Sequence, residues 1–239
     1  MKCQRVTKGL PMMKVLAIAV LIVSFYLSSL AHAVGLGFDK TRLIIQGDRN
    51  TGSVVFDNRT DGAFFVRTHL EDLNKKKTNK GMARPPVFQV NPQRAARIQV
   101  VIDDKQLPKD RESMFWLYTK AYPAQKVDDK AQSKMMFNYA FQMKVFYRPS
   151  SIQGTYIDAA KSLIWYAENG QLHVRNDSAF NISLVGVEIN QKHVDTNKVI
   201  SPFSSENLGH KVNPNFLKNK FLWYVIADDG SAMRFPNAN

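Results

Sequence analysis

A stripe of large apolar side chains at alternate positions most constrains how this chain can fold. Met135, Phe137, Tyr139, Phe141, Met143, Val145 and Tyr147 alternate with Asn138, Ala140, Gln142 and Lys144, and Arg148 follows. Period two means a β-strand with one buried face, because a helix repeats its apolar positions every three or four residues. The stripe covers about 13 residues, whereas strands usually run roughly 5–6. A small sandwich rarely needs so long a stripe for its own core.

The rest of the chain is written in the same alphabet. "RLIIQG", "TGSVVFDN", "AFFVRTHLEDL", "RAARIQVVID" and "SMFWLYTKAYP" read as strands separated by turn clusters. The last is apolar on both faces, as a central strand would be. "PPVFQVNP" is bracketed by prolines, which have no N–H to give a ladder, so it is an edge or loop-adjacent segment. About seven strands in roughly 115 residues suit an immunoglobulin-like sandwich. After Arg148-Pro149 the pattern restarts. "SLIWYAENGQLHVRND" is a hairpin around Asn169-Gly170, and "NISLVGVEIN" alternates with a bulge at Gly186. "KVISPFSSENL" and "KFLWYVIADDG" add strands, and no helix of useful length is expected. The fold class is therefore all-β, with residues 34–149 as a sandwich domain and 150–239 as a second, smaller β domain.

Residues 1–33 read as a cleaved signal peptide. Lys2, Arg5, Lys8 and Lys14 form a positive start, Val15 to Leu30 an apolar run, and Ala31-His32-Ala33 a small-x-small cleavage site. The apolar run is short for a spanning helix of about 20 residues, so no stable membrane insertion is expected. Cys3, the only cysteine, lies in that segment. The exported chain would enter an oxidising compartment without a thiol, and its stability must come from packing alone. The net charge of +13 falls to +9 when the four leader cations are removed. Export and the lack of an aromatic-interleaved basic motif argue against a nucleic-acid partner; a basic surface suits acidic or carboxylate-bearing ones. The run Lys75-Lys76-Lys77 with Lys80 reads as a solvated loop.

No catalytic pattern emerges. There is no His-Glu-x-x-His, no Gly-x-Ser-x-Gly and no phosphate-binding glycine loop. His69, His173, His193 and His210 share no ligand spacing. Asp103-Asp104, Asp128-Asp129 and Asp228-Asp229 are adjacent pairs, which on strands point to opposite faces. No enzyme, metal or cofactor is expected.

One segment is more specific. "LPKDRESMFWLYTKAYP" resembles the signature of the PapD-like periplasmic pilus chaperones through Leu107-Pro108, Asp110-Arg111-Glu112-Ser113 and Phe115-Trp116. "KVFYRPSSI" resembles the end of that family's long strand, "KTRLIIQGD" its first strand and "RPPVFQVNPQRAARIQV" its proline segment. "SPFSS" and "WYVIADDGS" agree more loosely.

The resemblance implies two immunoglobulin-like domains in a boomerang, in the periplasm. It also implies a non-enzymatic chaperone that completes unfinished pilus subunits with one of its own strands and delivers them to an outer-membrane usher. The donor residues would be Met135, Phe137, Tyr139 and Phe141, with Met143, Val145 and Tyr147 in the chaperone's own core. Arg42 and Lys144 match the family's anchor for the subunit's C-terminal carboxylate. Glu112, Arg148 and Asp228 match its interdomain ion network, with Asp229 as an alternative to Asp228. The lack of cysteine and a loop of moderate length resemble the short-loop class. An exposed donor edge would also let a second copy cap the first. The competing reading is a secreted two-domain adhesin or pilus structural component. It lacks the N-terminal extension and the cysteine pair that a subunit would carry.

Overall fold

The computed structural model describes residues 35–124, 137–218 and 220–236. The leader segment, the loop before the long strand and Met135 lie outside the described residues.

Nine strands build the first sandwich: β1 (Leu36–Phe38), β2 (Arg42–Gln46), β3 (Thr51–Asn58), β4 (Phe64–Glu71), β5 (Gly81–Arg84), β6 (Val87–Val90), β7 (Arg94–Ile102), β8 (Ser113–Pro123) and β9 (Tyr139–Arg148). They form two sheets, in the orders β1-β3-β7-β5 and β2-β9-β8-β4-β6. The doubly apolar β8 is the central strand of its sheet, and the proline-bracketed β6 lies at its edge. Alternation decides which side chains enter the core: Val54, Phe56, Ile98, Val100, Leu117, Met143, Val145 and Tyr147 are buried in one cluster. Arg97 and Gln99, between the buried residues of β7, stay exposed.

A short helix, α1 (Tyr156–Lys161), follows Arg148-Pro149, and then come β10 (Ile164–Glu168), β11 (Gln171–Asn176), β12 (Ile182–Ile189), β13 (Lys192–Ile200), β14 (Ser204–Lys211), β15 (Phe221–Ile226) and β16 (Ala232–Pro236). Their sheets are β10-β11-β14 and β13-β12-β15-β16, around a separate core that includes Trp165, Leu172, Ile182, Ile200 and Trp223. The β10–β11 hairpin closes with Glu168 opposite Gln171, and Asn169 and Gly170 both have positive φ (52° and 71°). Such a turn needs residues that tolerate the left-handed region. The ladder of β12 shifts register between Leu184 and Gly186. A Cβ at Gly186 would lie 2.7 Å from the Val194 carbonyl oxygen, so only glycine allows that approach.

The helix α1 was not foreseen in the sequence. Six residues are too few for a periodic signal. Its signs are local: Thr155 accepts the Asp158 N–H at 3.1 Å, and the Trp223 indole donates to the Ala160 carbonyl at 2.9 Å.

The two sandwiches share a buried asparagine. Asn58 Nδ2 donates to the carbonyls of Gly62 (2.7 Å) and Asn91 (3.0 Å), and its Oδ1 accepts from the Thr60 N–H and hydroxyl. Asn176 Nδ2 donates to Phe180 (2.7 Å) and Ser201 (3.0 Å), and its Oδ1 accepts from the Ser178 N–H and hydroxyl. Each side chain satisfies backbone groups of two separate chain segments at once. A buried group left unsatisfied costs about 1–3 kcal/mol, so Asn58→Ala and Asn176→Ala should each destabilise their own sandwich by about that much in urea unfolding. A loss well below that range in both would mean that the asparagines do not pin their turns.

Candidate functional site

The site forms where the first strand of the chain changes sheets. β1 pairs antiparallel with β3, and then β2 crosses to pair parallel with β9, with Arg42 opposite Lys144 and Gln46 opposite Arg148. The other side of β9 pairs with β8 all the way from Tyr147 to Tyr139. Among the described residues, no strand pairs with Tyr139 to Met143 on the β2 side. Half of the long strand is therefore an open edge, and Arg42 and Lys144 mark where the edge begins.

The side chains along that half divide. Phe137 and Tyr139 are 64% and 46% exposed, and the Tyr139 ring meets only the margin of the core through Phe64 (5.9 Å). Phe141, grouped with them in the sequence reading, packs edge-on against Phe56 (5.4 Å) and Phe38 (6.1 Å). Its ring sits against its own core because β1, on the facing sheet, brings Phe38 over it.

Arg42, Lys144, Trp116 and Glu71 form one row across the sheet on the face away from the core. Lys144 Nζ lies 5.8 Å from the Trp116 ring centroid and makes no ion pair among the described residues. Glu71, at the far end of the row, instead holds His69 (3.1 Å) and Gln142 (3.2 Å). Arg42 Nη1 donates to the Ile226 carbonyl (2.9 Å) and Ser183 Oγ (3.2 Å) of the second sandwich, while its buried Nε has no hydrogen-bond partner among the described residues. Burial, and then the like charge of Arg42, hold the Lys144 ammonium below the ordinary lysine range. Burial also lowers Arg42, with Tyr156 and Asp228 opposing. Two cations are thus kept close in a partly desolvated row, and neither makes an ion pair among the described residues.

A neighbouring cluster is fully paired. Arg148 Nε donates to Glu112 Oε1 at 2.6 Å, and its two terminal nitrogens clasp both oxygens of Asp228 at 2.7 and 2.9 Å. Glu112 Oε2 accepts the Asn181 N–H at 2.8 Å, and the Arg148 guanidinium lies over Phe180. Burial pulls Arg148 down, but its bonds to Asp228 and the Glu112 charge hold it above its ordinary value. Asp229 turns away and accepts from the Ser231 N–H and hydroxyl, so geometry selects Asp228 over its neighbour. Across the two sandwiches, this cluster ties β9 to the turn before β12 and to the turn after β15.

Several residues here carried no signal in the sequence. Phe146 sits on the otherwise polar face of β9, yet only 2% of it is exposed, and Arg42 lies over its ring. The Tyr156 hydroxyl donates to the same Ile226 carbonyl that Arg42 uses, and burial pushes the Tyr156 pKa up to about 12. Asn181 and Ser183 contribute through positions far away in sequence. Among the described residues, no group of three or more metal-binding side chains exists, and no helix is long and apolar enough to cross a membrane.

Glu112 supports a pH prediction. Burial holds its carboxyl above the ordinary value of 4.5, against the pull of Arg148 and the Asn181 N–H. Its ionisation therefore weakens the fold as pH rises from that value through the raised one, and the cost is absent below. In Glu112→Gln no such ionisation occurs. Thermal melts from about pH 4 to 7 should show the variant's stability, relative to the parent, improving as pH rises. A relative stability that falls instead would show that the attraction of Arg148 outweighs burial.

The sequence matches two family descriptions in succession: "Pili and flagellar-assembly chaperone, PapD N-terminal domain" over residues 35–153 and "Pili assembly chaperone PapD, C-terminal domain" over 158–236. The chain is 28% identical over 180 residues to the chaperone protein LpfB of Salmonella typhimurium, covering 74% of this chain and 78% of that one. It is 29% identical over 220 residues to the probable fimbrial chaperone LpfB of Escherichia coli O157:H7, covering 92% and 94%. The SafB chaperone of Salmonella enterica, solved in complex with the SafA pilin, has the same fold, with a TM-score of 0.74 at 21% identity over 87% of this chain and 98% of that chain. With both domain descriptions matched in order along one two-sandwich chain, this protein belongs to the PapD family of pilus-assembly chaperones.

Proposed function

We propose that the protein holds pilus subunits in the periplasm by lending them the open half of β9, and passes them to an outer-membrane usher without catalysing a reaction. The reading rests on one observation: β9 is paired on both sides only from Lys144 onward, and the open half begins beside two cations that make no ion pair among the described residues. An unfinished subunit sandwich exposes an apolar groove and unpaired backbone, which together drive aggregation. An added strand satisfies the backbone and fills the groove with every second side chain. Phe137 and Tyr139 are the donors within the described residues, and Met135, outside them, continues the alternation. Phe141 is the transition residue, since its ring already packs on Phe38 and Phe56.

Arg42 and Lys144 are the proposed anchor for the subunit's terminal carboxylate. Charge-assisted bonds from a guanidinium and an ammonium suit that group. An anchored chain end also sets register, and a slip of one residue would turn Phe137 and Tyr139 out of the groove. Residues 1–33 are the proposed leader, 34–149 the domain that binds, and 150–239 the domain that completes the cleft. The Glu112–Arg148–Asp228 cluster is its proposed interdomain strut.

Burial of one large side chain is worth about 1.5–3 kcal/mol, so Phe137→Ala should weaken subunit binding by roughly tenfold or more, and Phe137→Asp should abolish it. In periplasmic co-expression with candidate subunits, Lys144→Ala should recover far less subunit than the parent; equal recovery would remove Lys144 from the anchor. Subunits shortened at the C-terminus should escape capture by the parent, and efficient capture of them would point to a mode without a carboxylate anchor.

A further inference from the structure

A second concentration of positive charge lies on the first sandwich. A cavity of about 810 Å³ opens there between β2 and the start of β3, and the outer faces of β7 and β5 form its far wall. Lys40, Arg49, Arg84 and Arg97 line it together with Ser53 and Gln99, and no Asp or Glu is among its lining residues. Ser53, Gln99 and Arg84 stand opposite one another across β3, β7 and β5, and Arg97 lies two residues along β7 on the same exposed face.

The four cations have little else to hold. Lys40 Nζ reaches the Ser53 carbonyl at 3.4 Å, and Arg97 Nη1 reaches Ser53 Oγ at 3.2 Å. Among the described residues, Arg84 Nε faces only the Met82 sulfur at 3.1 Å. Arg49 has Asp48 at 3.9 Å, with both side chains largely exposed. The carboxylate of Asp39, adjacent to Lys40 in sequence, is engaged by the Val55 N–H at 2.8 Å. Such a gathering of like charge repels itself unless an anion occupies it.

We propose that this basin binds an extended acidic segment of a partner protein that carries carboxylates at alternate positions. Arg84 and Arg97 are diagonal neighbours on β5 and β7, a relation that separates residues by about 7–8 Å. Side chains two apart on an extended chain are spaced about 6.5–7 Å, so successive same-face carboxylates match the two guanidiniums. Arginine suits carboxylates because its planar fork donates two parallel bonds. β2, the edge strand of its sheet, forms the near wall through Leu43 and Ile44 and leaves room for an extended backbone. The concavity suits a chain that enters it, and a flat bilayer surface would touch only the rim. The proposal does not depend on the strand-donation reading.

Fluorescence anisotropy tests it with the purified protein and a fluorescein-labelled peptide alternating serine and glutamate, in low-salt buffer. Saturable binding should weaken about three- to tenfold in Arg84→Ala/Arg97→Ala, since two exposed charge pairs are removed. It should vanish in Arg97→Glu, and remain unchanged in Lys192→Ala, an exposed lysine of the second sandwich. Thermal melts of the variants should match the parent, because Arg84, Arg97 and Lys192 are exposed and outside both cores. Equal loss in Lys192→Ala and Arg84→Ala/Arg97→Ala would reduce the effect to net charge and overturn the proposal. So would binding of phosphatidylglycerol vesicles or tripolyphosphate without binding of the peptide.

Discussion

The first strand can pair with only one sheet at a time, and the rest of the functional geometry follows from where it changes over. Asp39 holds the crossing point: its N–H donates to the Val55 carbonyl at 3.0 Å and its carboxylate accepts the Val55 N–H at 2.8 Å. Before that point β1 completes one sheet, and beyond it β2 runs beside β9 in the other. Among the described residues, the crossing leaves two stretches paired on one side only, the first half of β9, which keeps β8, and the beginning of β3, which keeps β7. Cations flank both. Edge strands are aggregation hazards that proteins usually cover or charge. Here charge sits beside edges whose backbone remains available to another chain.

The same excess of positive charge serves two physical roles. Arg148 is matched by Glu112 and Asp228 within hydrogen-bond distance, so its charge holds parts of both sandwiches together. The net value of such a pair is small once desolvation is counted, but loss of one partner strands the others. Arg42 and Lys144, only a few positions away along β2 and β9, have no such match. Arg42 leans on neutral oxygens of Ser183 and Ile226, and Lys144 on the face of Trp116. The paired arginine joins the two sandwiches, whereas Arg42 and Lys144 keep their charge without an ion pair among the described residues. The two clusters are adjacent, so the interface that fixes the second sandwich also fixes where Arg42 points.

The long alternating stripe acquires a physical division of labour. Met143, Val145 and Tyr147 are buried in the first sandwich, and the Tyr147 hydroxyl reaches Asn50 and Asp104 at its lower edge. Phe137 and Tyr139 extend past the point where their own sandwich can cover them. Phe141 stands between, reached by Phe38 because β1 lies on the opposite sheet. The changeover of the first strand thus sets both where the backbone edge opens and where the aromatic stripe leaves the core.

By itself, the sequence determined what depends on neighbours along the chain. Period-two alternation identified most strands but not β1, β5 or β16, and it ran β13 and β14 together across the turn at Pro202-Phe203; the prolines marked β6 as an edge or loop-adjacent segment, and Asn169-Gly170 marked its hairpin, because strand faces and turn conformations are set within a few residues. The motifs around Glu112, Lys144 and Arg148 also singled out the residues that meet in the cleft. Only the tertiary structure decided what depends on distant segments. It chose Asp228 over Asp229, because one carboxylate of an adjacent pair faces Arg148 and the other caps its own turn. It buried Phe146 on a polar face, drew Phe141 against Phe38, and brought Ser183 and the Ile226 carbonyl to Arg42. It also showed that Asn58 and Asn176 perform one task in two sandwiches. Local pattern fixes which way a side chain points, whereas the partner it meets depends on how sheets stack and where a strand changes sheets, and neither is written in any single stretch of residues.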